Sequence, residues 1–156
     1  LNIEECNLNE ITQSSLDDLT SIHGDRFRLY SNEQINGYWD CTAIRRIVEN
    51  LLGNAVKYGM PKALITIALR RKMESIEIAV HNEGNPIPLE DQTLLFRQFQ
   101  RTESAQKGSQ KGWGIGLTLV QGFAKAHGGN VLVRSEVGEG TTFIVELPKD
   151  SRGVSS

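Results

Sequence analysis

The apolar positions between Arg46 and Tyr58, at Ile47, Val48, Leu51, Leu52 and Ala55, recur at the three- and four-residue spacing of one helix face. Asp40 or Thr42 can cap the start of that helix, and Gly59 and Pro61 end it. Upstream, Leu8, Ile11, Leu19 and Ile22, with acids between them, predict a shorter amphipathic helix over residues 8–22. Residues 26–31 and 34–39 read as two strands across an Asn-containing turn. Residues 63–71 and 75–81 read as a β-hairpin closed by Lys72-Met73-Glu74, and Asn82 to Pro88 is a loop by its Gly and Pro content. A short helix within residues 89–100 turns Leu94, Leu95, Phe96 and Phe99 inward.

From Arg101 to Gly112 only Ala105 is apolar, and such a patternless stretch in a compact domain marks a functional lid or a disordered segment. A helix from Gly114 or Ile115 to His127 follows, stopped by Gly128-Gly129. Strands over 131–135 and 141–147 close the pattern, and the polar tail from Lys149 is expected to fray. Strands segregated from helices, with antiparallel connections, predict an α+β two-layer sandwich: a mixed, mostly antiparallel sheet packed on about three helices.

Length and charge narrow this picture. The 156 residues make one domain, and a net charge of −2 argues against general affinity for nucleic acid. Residues 1–25 carry six acids and no Lys or Arg, whereas Arg97 to Lys111 carries four bases and one acid. The second segment is either a solvated loop or a local site for a polyanion such as a triphosphate. No apolar run approaches the roughly 20 residues of a membrane helix, and no signal-peptide pattern follows Leu1. A chain opening on Leu rather than Met is expected to be a piece of a longer protein, cytoplasmic itself, with a parent either soluble or membrane-anchored. Cys6 and Cys41 lie far apart and in no metal-ligand spacing, so they read as reduced, structural thiols of a cytosolic protein.

The candidate chemistry begins on the long helix. Asn50 and Asn54 are four residues apart and Lys57 follows one turn later, so with Tyr58 they form one polar stripe. Two amides and an ammonium offer oxygens to a hard cation and N–H donors to its phosphate ligands, a set suited to a Mg-nucleotide. An exposed Asn-rich face is the plain alternative. Gly112-Trp-Gly114-Ile-Gly116-Leu117 lies between the lid and a helix start, where bare backbone and free N–H groups can approach a phosphate. The plain alternative here is a hinge. The spacing is not G-x-G-x-x-G and no strand precedes it, which disfavours a dinucleotide fold.

Taken in order, these pieces resemble the catalytic, ATP-binding domain of sensor histidine kinases, of the Bergerat-fold superfamily that includes gyrase, heat-shock chaperone and mismatch-repair ATPases. The helix with Asn50 and Asn54 looks like the N box, and Asn82-Glu-Gly84-Asn-Pro86-Ile87-Pro88 like the G1 box. Leu95 to Arg101 is similar to the F box, Gly112 to Leu117 to G2, and Gly138-Glu-Gly140-Thr-Thr142-Phe143 to G3. The resemblance covers residues 26–148. It implies that residues 1–25 lead in from a dimerisation and phosphoacceptor domain outside this chain, and that 149–156 are a flexible tail.

By that resemblance Asn54 coordinates Mg²⁺, with Asn50 assisting directly or through water. Lys57 and Arg101 hold terminal phosphate oxygens, and Tyr58 lines the ATP pocket. Gly112, Gly114, Ile115 and Gly116 wrap the phosphates under the lid. Asn82 and Gly84 of G1 and Thr142 of G3 complete the nucleotide site. Leu117, Ile87 and Phe99 pack near the base, brace the lid or belong to plain core. The implied partners are the histidine-phosphotransfer domain of the same kinase and, indirectly, a response regulator, with the isolated domain monomeric.

Two departures stand out. The family usually has Asp where Asn82 stands, and Pro86 replaces a second G1 glycine; an Asn oxygen can still accept from an adenine amino group, without charge assistance. ATP-hydrolysing relatives usually carry a Glu at the position of Asn50, and Glu49 points about 100° away round the helix, so attack by water lacks a general base. None of His23, His81 and His127 lies in a phosphoacceptor-like segment. His127 reads as a helix C-terminal residue favoured by the dipole, and His81 as a strand end beside the pocket. The rival readings are a nucleotide-sensing pseudokinase module and a serine kinase of the anti-sigma type.

Overall fold

A computed structural model describes residues 1–84, 111–136 and 138–154, with the side chains of Tyr58, residues 111–116 and Glu136 excepted. The elements in chain order are β1 (Glu4–Asn7), α1 (Leu8–His23), β2 (Phe27–Ser31), β3 (Asn36–Trp39), α2 (Cys41–Tyr58), β4 (Ile65–Arg71), β5 (Ser75–Asn82), α3 (Lys111–Ala126), β6 (Asn130–Glu136) and β7 (Gly140–Pro148). Five strands form one sheet in the order β2-β4-β5-β7-β6, parallel only between β2 and β4. α1 lies against β2, α2 against β4 and β5, and α3 against β6 and β7. The expected α+β two-layer sandwich is the observed one.

The core is the meeting of two periodicities. Ile44, Ile47, Val48, Leu51, Leu52 and Ala55 of α2 are fully buried. Alternate strand residues meet them: Ile76, Ile78 and Val80 from β5, and Phe143, Val145 and Leu147 from β7. The alternating partners Ser75, Glu77, Ala79 and His81 face the other side of the sheet and are half-buried. The expected hairpin of β4 and β5 forms, with Ile65 opposite Asn82.

The two strands read across an Asn-containing turn do not pair with each other. β2 joins β4, and β3 joins the strand β1 that the apolar pattern was too short to reveal. Asn9 explains the separation. Its buried amide accepts from the Ile35 N–H at 2.8 Å and donates to Ser31 Oγ and the Glu33 carbonyl, so the β2–β3 connection folds onto α1.

The cysteines are a further correction. Cys6 and Cys41 form a disulfide, their Cα atoms 5.8 Å apart. Separation along the chain was no guide, because pairing of β1 with β3 sets Cys6 opposite Gly37 and carries the start of α2 alongside.

α2 and α3 share a firmly held end. Asp40 caps α2, its carboxylate accepting from the N–H groups of Ala43 and Asn2 at 3.1 Å each. Its own N–H donates to His127 Nε2 at 3.0 Å, while His127 Nδ1 meets the Phe123 carbonyl at 2.7 Å. A backbone N–H can only donate and a carbonyl only accept, so the geometry assigns the proton to Nδ1. His127, directly after the last residue of α3, is thus both the expected helix C-terminal residue, its ring on one of the last carbonyls, and a buried strut between two helix ends. Lys149 and Ser151 are also held: the Tyr38 N–H donates to the Lys149 carbonyl, and Ser151, 2% exposed, donates from Oγ to the His127 carbonyl. Trp39 Nε1 donates to the Pro148 carbonyl at 2.7 Å.

Candidate functional site

The opposite end of the sandwich is built differently. On β5 the inward column runs Ile76, Ile78, Val80 and then Asn82, which is 3% exposed. On β7 it ends at Thr141, 2% exposed and paired with Asn82 across the ladder. On β6 it runs Val131, Val133 and then Ser135, whose hydroxyl is 2.7 Å from that of Thr141. Three adjacent columns therefore exchange an apolar for a polar side chain at the same level. In the helix layer α2 does likewise with Asn54, 7% exposed, beside core residues Leu51 and Ala55.

Two atoms here lack partners. Asn54 Nδ2 and Asn82 Oδ1 are buried without a hydrogen bond; the other two such atoms among the described residues, Thr12 Oγ1 and Ser15 Oγ, belong to α1. Leaving a buried polar group unsatisfied costs about 1–3 kcal/mol, so a pair at the polar end of a core points to a ligand that supplies the missing partners.

Two glycines make this end accessible to backbone. A Cβ on Gly59, just past α2, would lie 2.5 Å from the Ala55 carbonyl and 3.0 Å from Asn82 Nδ2, so any larger residue would crowd the amide. Gly140 sits at φ 72°, and a Cβ there would collide with the Asn82 carbonyl oxygen. The Met60 N–H donates to the Glu83 carbonyl at 2.6 Å, tying the exit of α2 to the end of β5.

Residues 39–151 match the family described as histidine kinase-, DNA gyrase B-, and HSP90-like ATPase. The chain belongs to that family. It is 35% identical over 131 residues to the adaptive-response sensory kinase SasA of Synechococcus elongatus, covering 83% of this chain and 31% of that kinase. It is 37% identical over 118 residues to the sensor-like histidine kinase SenX3 of Mycobacterium tuberculosis, covering 76% of this chain and 28% of that protein. The chain thus spans about three tenths of the length of these sensor kinases. The solved catalytic domain of histidine kinase ThkA superposes with a TM-score of 0.81 at 25% identity, covering 96% of this chain and 99% of that domain.

Within this ATPase-family fold, Asn50, Asn54 and Lys57 share the expected stripe of α2, grading from half-buried through buried to exposed. Asn50 Nδ2 donates to the Arg46 carbonyl at 2.7 Å, which leaves its oxygen for a ligand. Asn82 and Gly84 are at the end of β5, and Leu117 is fully buried with Val120 and Ala124, as core. The helix starts earlier than expected: α3 opens at Lys111, so Gly112, Gly114, Ile115 and Gly116 lie in helical backbone. Tyr58 is the last residue of α2. Ile87, Phe99, Arg101, the F box and the lid from Arg101 to Gln110 lie outside the described residues.

Thr142 lies on the other side of the sheet from Asn82. It faces the open side of the sheet, where its hydroxyl is 2.7 Å from His81 Nδ1. His81 shares that face, with Nε2 3.4 Å from the Glu83 carboxylate. The residue that joins Asn82 in the helix layer is Thr141, which the alternation of Phe143, Val145 and Leu147 fixes by parity. Ser135 is found by the same count.

Among the described residues no group of three His, Cys, Asp or Glu could hold a metal ion. The donors that fit Mg²⁺ are the carboxamide oxygens of Asn50 and Asn54, few and neutral, as suits an ion that keeps waters and substrate phosphates in its shell. No helix among the described residues is long and apolar enough to cross a membrane.

Proposed function

We propose that this chain binds Mg-ATP at the polar end of the sandwich and presents the γ-phosphate to a histidine on a separate dimerisation domain, in two-component signalling. The observation that carries the reading is the buried, unpartnered oxygen of Asn82, a residue paired across the sheet with Thr141: an acceptor in want of a neutral N–H such as the adenine amino group. Asn54 and Asn50 supply oxygens to the cation, and Asn54 Nδ2 supplies a donor to a phosphate oxygen. Lys57 and Arg101 offset charge on the terminal phosphate. Mg²⁺ held by the oxygens of Asn50 and Asn54 would supply positive charge to the phosphates, and the bond from the γ-phosphorus to the bridging oxygen breaks with ADP as the leaving group. The new bond forms to nitrogen of the partner's imidazole.

The acceptor histidine belongs outside this chain. His127 has both ring nitrogens engaged and is buried, and His81 is held by Thr142 and Glu83. Asn50 in place of an acid leaves water without a base, which supports transfer to a side chain over hydrolysis. A response regulator then takes the phosphoryl group from the histidine. A degenerate, nucleotide-sensing module is the second reading, favoured by the uncharged Asn82.

Calorimetric titration of ATP with and without Mg²⁺, on this chain and on Asn54→Ala, tests the site. Binding that needs Mg²⁺ and weakens at least about tenfold in the variant is expected; no binding to the wild type overturns the proposal. Acid-labile label on the dimerisation domain, from radiolabelled ATP, separates kinase from sensing module.

A further inference from the structure

The turn that follows α2 bends at an unfavourable residue. Met60, Pro61, Lys62 and Ala63 close on a bond from the Ala63 N–H to the Met60 carbonyl at 3.2 Å. Pro61 takes the second position, and Lys62 takes the third with φ 64°. Among the described residues no other residue except glycine has a positive φ. The pattern is that of a type II turn, which favours glycine at the third position. A lysine held there is strained, so the turn needs support from outside itself.

Arg26 supplies that support. From its place just before β2, its half-buried side chain reaches both ends of the turn. Nη2 donates to the Met60 carbonyl at 3.1 Å and Nε to the Ala63 carbonyl at 3.0 Å. The Arg26 carbonyl accepts from the Ile65 N–H at 2.8 Å, so the root of the side chain is fixed at the start of β4. A planar guanidinium can bridge two carbonyls in this way, with its donors set in a rigid fork.

The same turn reaches the polar end of the sandwich. The Met60 N–H donates to the Glu83 carbonyl at 2.6 Å, and Asn82 Nδ2 donates to that carbonyl at 3.3 Å. Turned over, the Asn82 amide would set its oxygen against the carbonyl, acceptor on acceptor. The Glu83 carbonyl therefore decides which end of the amide is left buried without a partner, and that end is Oδ1. Met60 fixes the carbonyl, and Arg26 fixes Met60.

We propose that Arg26 is a positioning residue for the nucleotide, holding the Asn82 oxygen, through Met60 and Glu83, where the adenine amino group meets it. The inference rests on the nucleotide-site reading above. It adds a residue that lies outside the family-matched residues 39–151 and acts only through the bonds named. Purine riboside triphosphate, which lacks only the 6-amino group of ATP, is the probe. It cannot use the Asn82 oxygen, so its affinity does not depend on how that oxygen is held.

Calorimetric titrations of Mg-ATP and of the Mg complex of the probe, on the full chain and on Arg26→Met and Arg26→Lys, test the proposal. Circular dichroism checks folding, and hydrogen exchange at the Met60 amide reads the link without ligand. One hydrogen bond is worth about tenfold in affinity, so the wild type is expected to favour ATP over the probe by about that factor. In Arg26→Met the preference shrinks to about twofold or less through loss of ATP affinity alone, and the Met60 amide exchanges at least about tenfold faster. Arg26→Lys, with one nitrogen in place of two, falls between the wild type and Arg26→Met. An unchanged preference, equal losses for the two ligands, or unchanged exchange at Met60 overturns the inference and leaves ATP binding standing. Failure of the wild type to bind ATP overturns both readings. If Arg26→Met does not fold, the same comparisons on Arg26→Lys decide.

Discussion

Asn82 and Thr141 stand opposite each other on β5 and β7, both turned into the helix layer and both buried, at the level where the core columns cease to be apolar. Neither is placed for stability. A column of Ile76, Ile78 and Val80 would be extended more favourably by another β-branched residue than by an amide with an orphaned oxygen. The pairing concerns what lies between the layers.

It follows that Asn82→Val should not destabilise the ligand-free protein. Removing an unsatisfied buried group is expected to leave unfolding unchanged or raise its free energy by about 1 kcal/mol, while nucleotide binding is lost. Thermal unfolding and an ATP titration on the same sample check both halves. A loss of more than about 1 kcal/mol would mean that the bond from Asn82 Nδ2 to the Glu83 carbonyl supports the fold more than its 3.3 Å length implies.

The Cys6–Cys41 bond closes a loop of 35 residues in sequence separation, for which the chain-entropy account gives about 4 kcal/mol of stabilisation, at the top of the usual range of about 2–4 kcal/mol. Reduction, or the double change Cys6→Ala with Cys41→Ala, should lower the unfolding midpoint accordingly. Amides of the four-residue β1 should lose protection from hydrogen exchange first, since the strand is short and pairs with β3 alone. Equal midpoints with and without reductant would refute this.

Asp40 gives the fold an acid limit. Burial pushes its carboxyl up, but the N–H groups of Asn2, Ala43 and Thr42 together outweigh this and hold it below its ordinary value. Because the folded carboxyl binds its proton less readily than the unfolded one, the stabilisation is fully present above the unfolded value and is lost as pH falls through the folded one. An asparagine at this position would cap the helix equally well without titrating. Asp40→Asn should therefore match the wild type near neutral pH and lose this part of the acid sensitivity. Urea midpoints from about pH 2 to about pH 5 for the two proteins decide it. Parallel curves would remove Asp40 from the explanation.

The stripe of α2 and the phase of β4 and β5 were legible because each buries a face with its own period, and period survives in a single sequence. What was misread depended on partners distant in the chain. β2 and β3 looked like a hairpin because they are neighbours with Asn32 between them, yet their ladders are made with β4 and β1. The cysteines met through the same β1–β3 pairing. Thr141 and Thr142 face opposite sides of the sheet, as parity with Phe143 dictates, because a one-residue step exchanges the two faces. The glycines before Leu117 argued for a loop, but α3 accommodates them in its first turns.

One end of the sandwich is locked by Asp40, His127, Ser151 and Trp39, and at the other three core columns end on Asn82, Thr141 and Ser135, with Ile65 beside Asn82. Whatever fills the polar end serves as the last layer of its interior, and by mass action adds to stability as its concentration rises above its dissociation constant. Breathing of the native fold should therefore begin beside Asn82 and Thr141 and reach His127 last, so that recognition of the ligand and completion of the fold become one event.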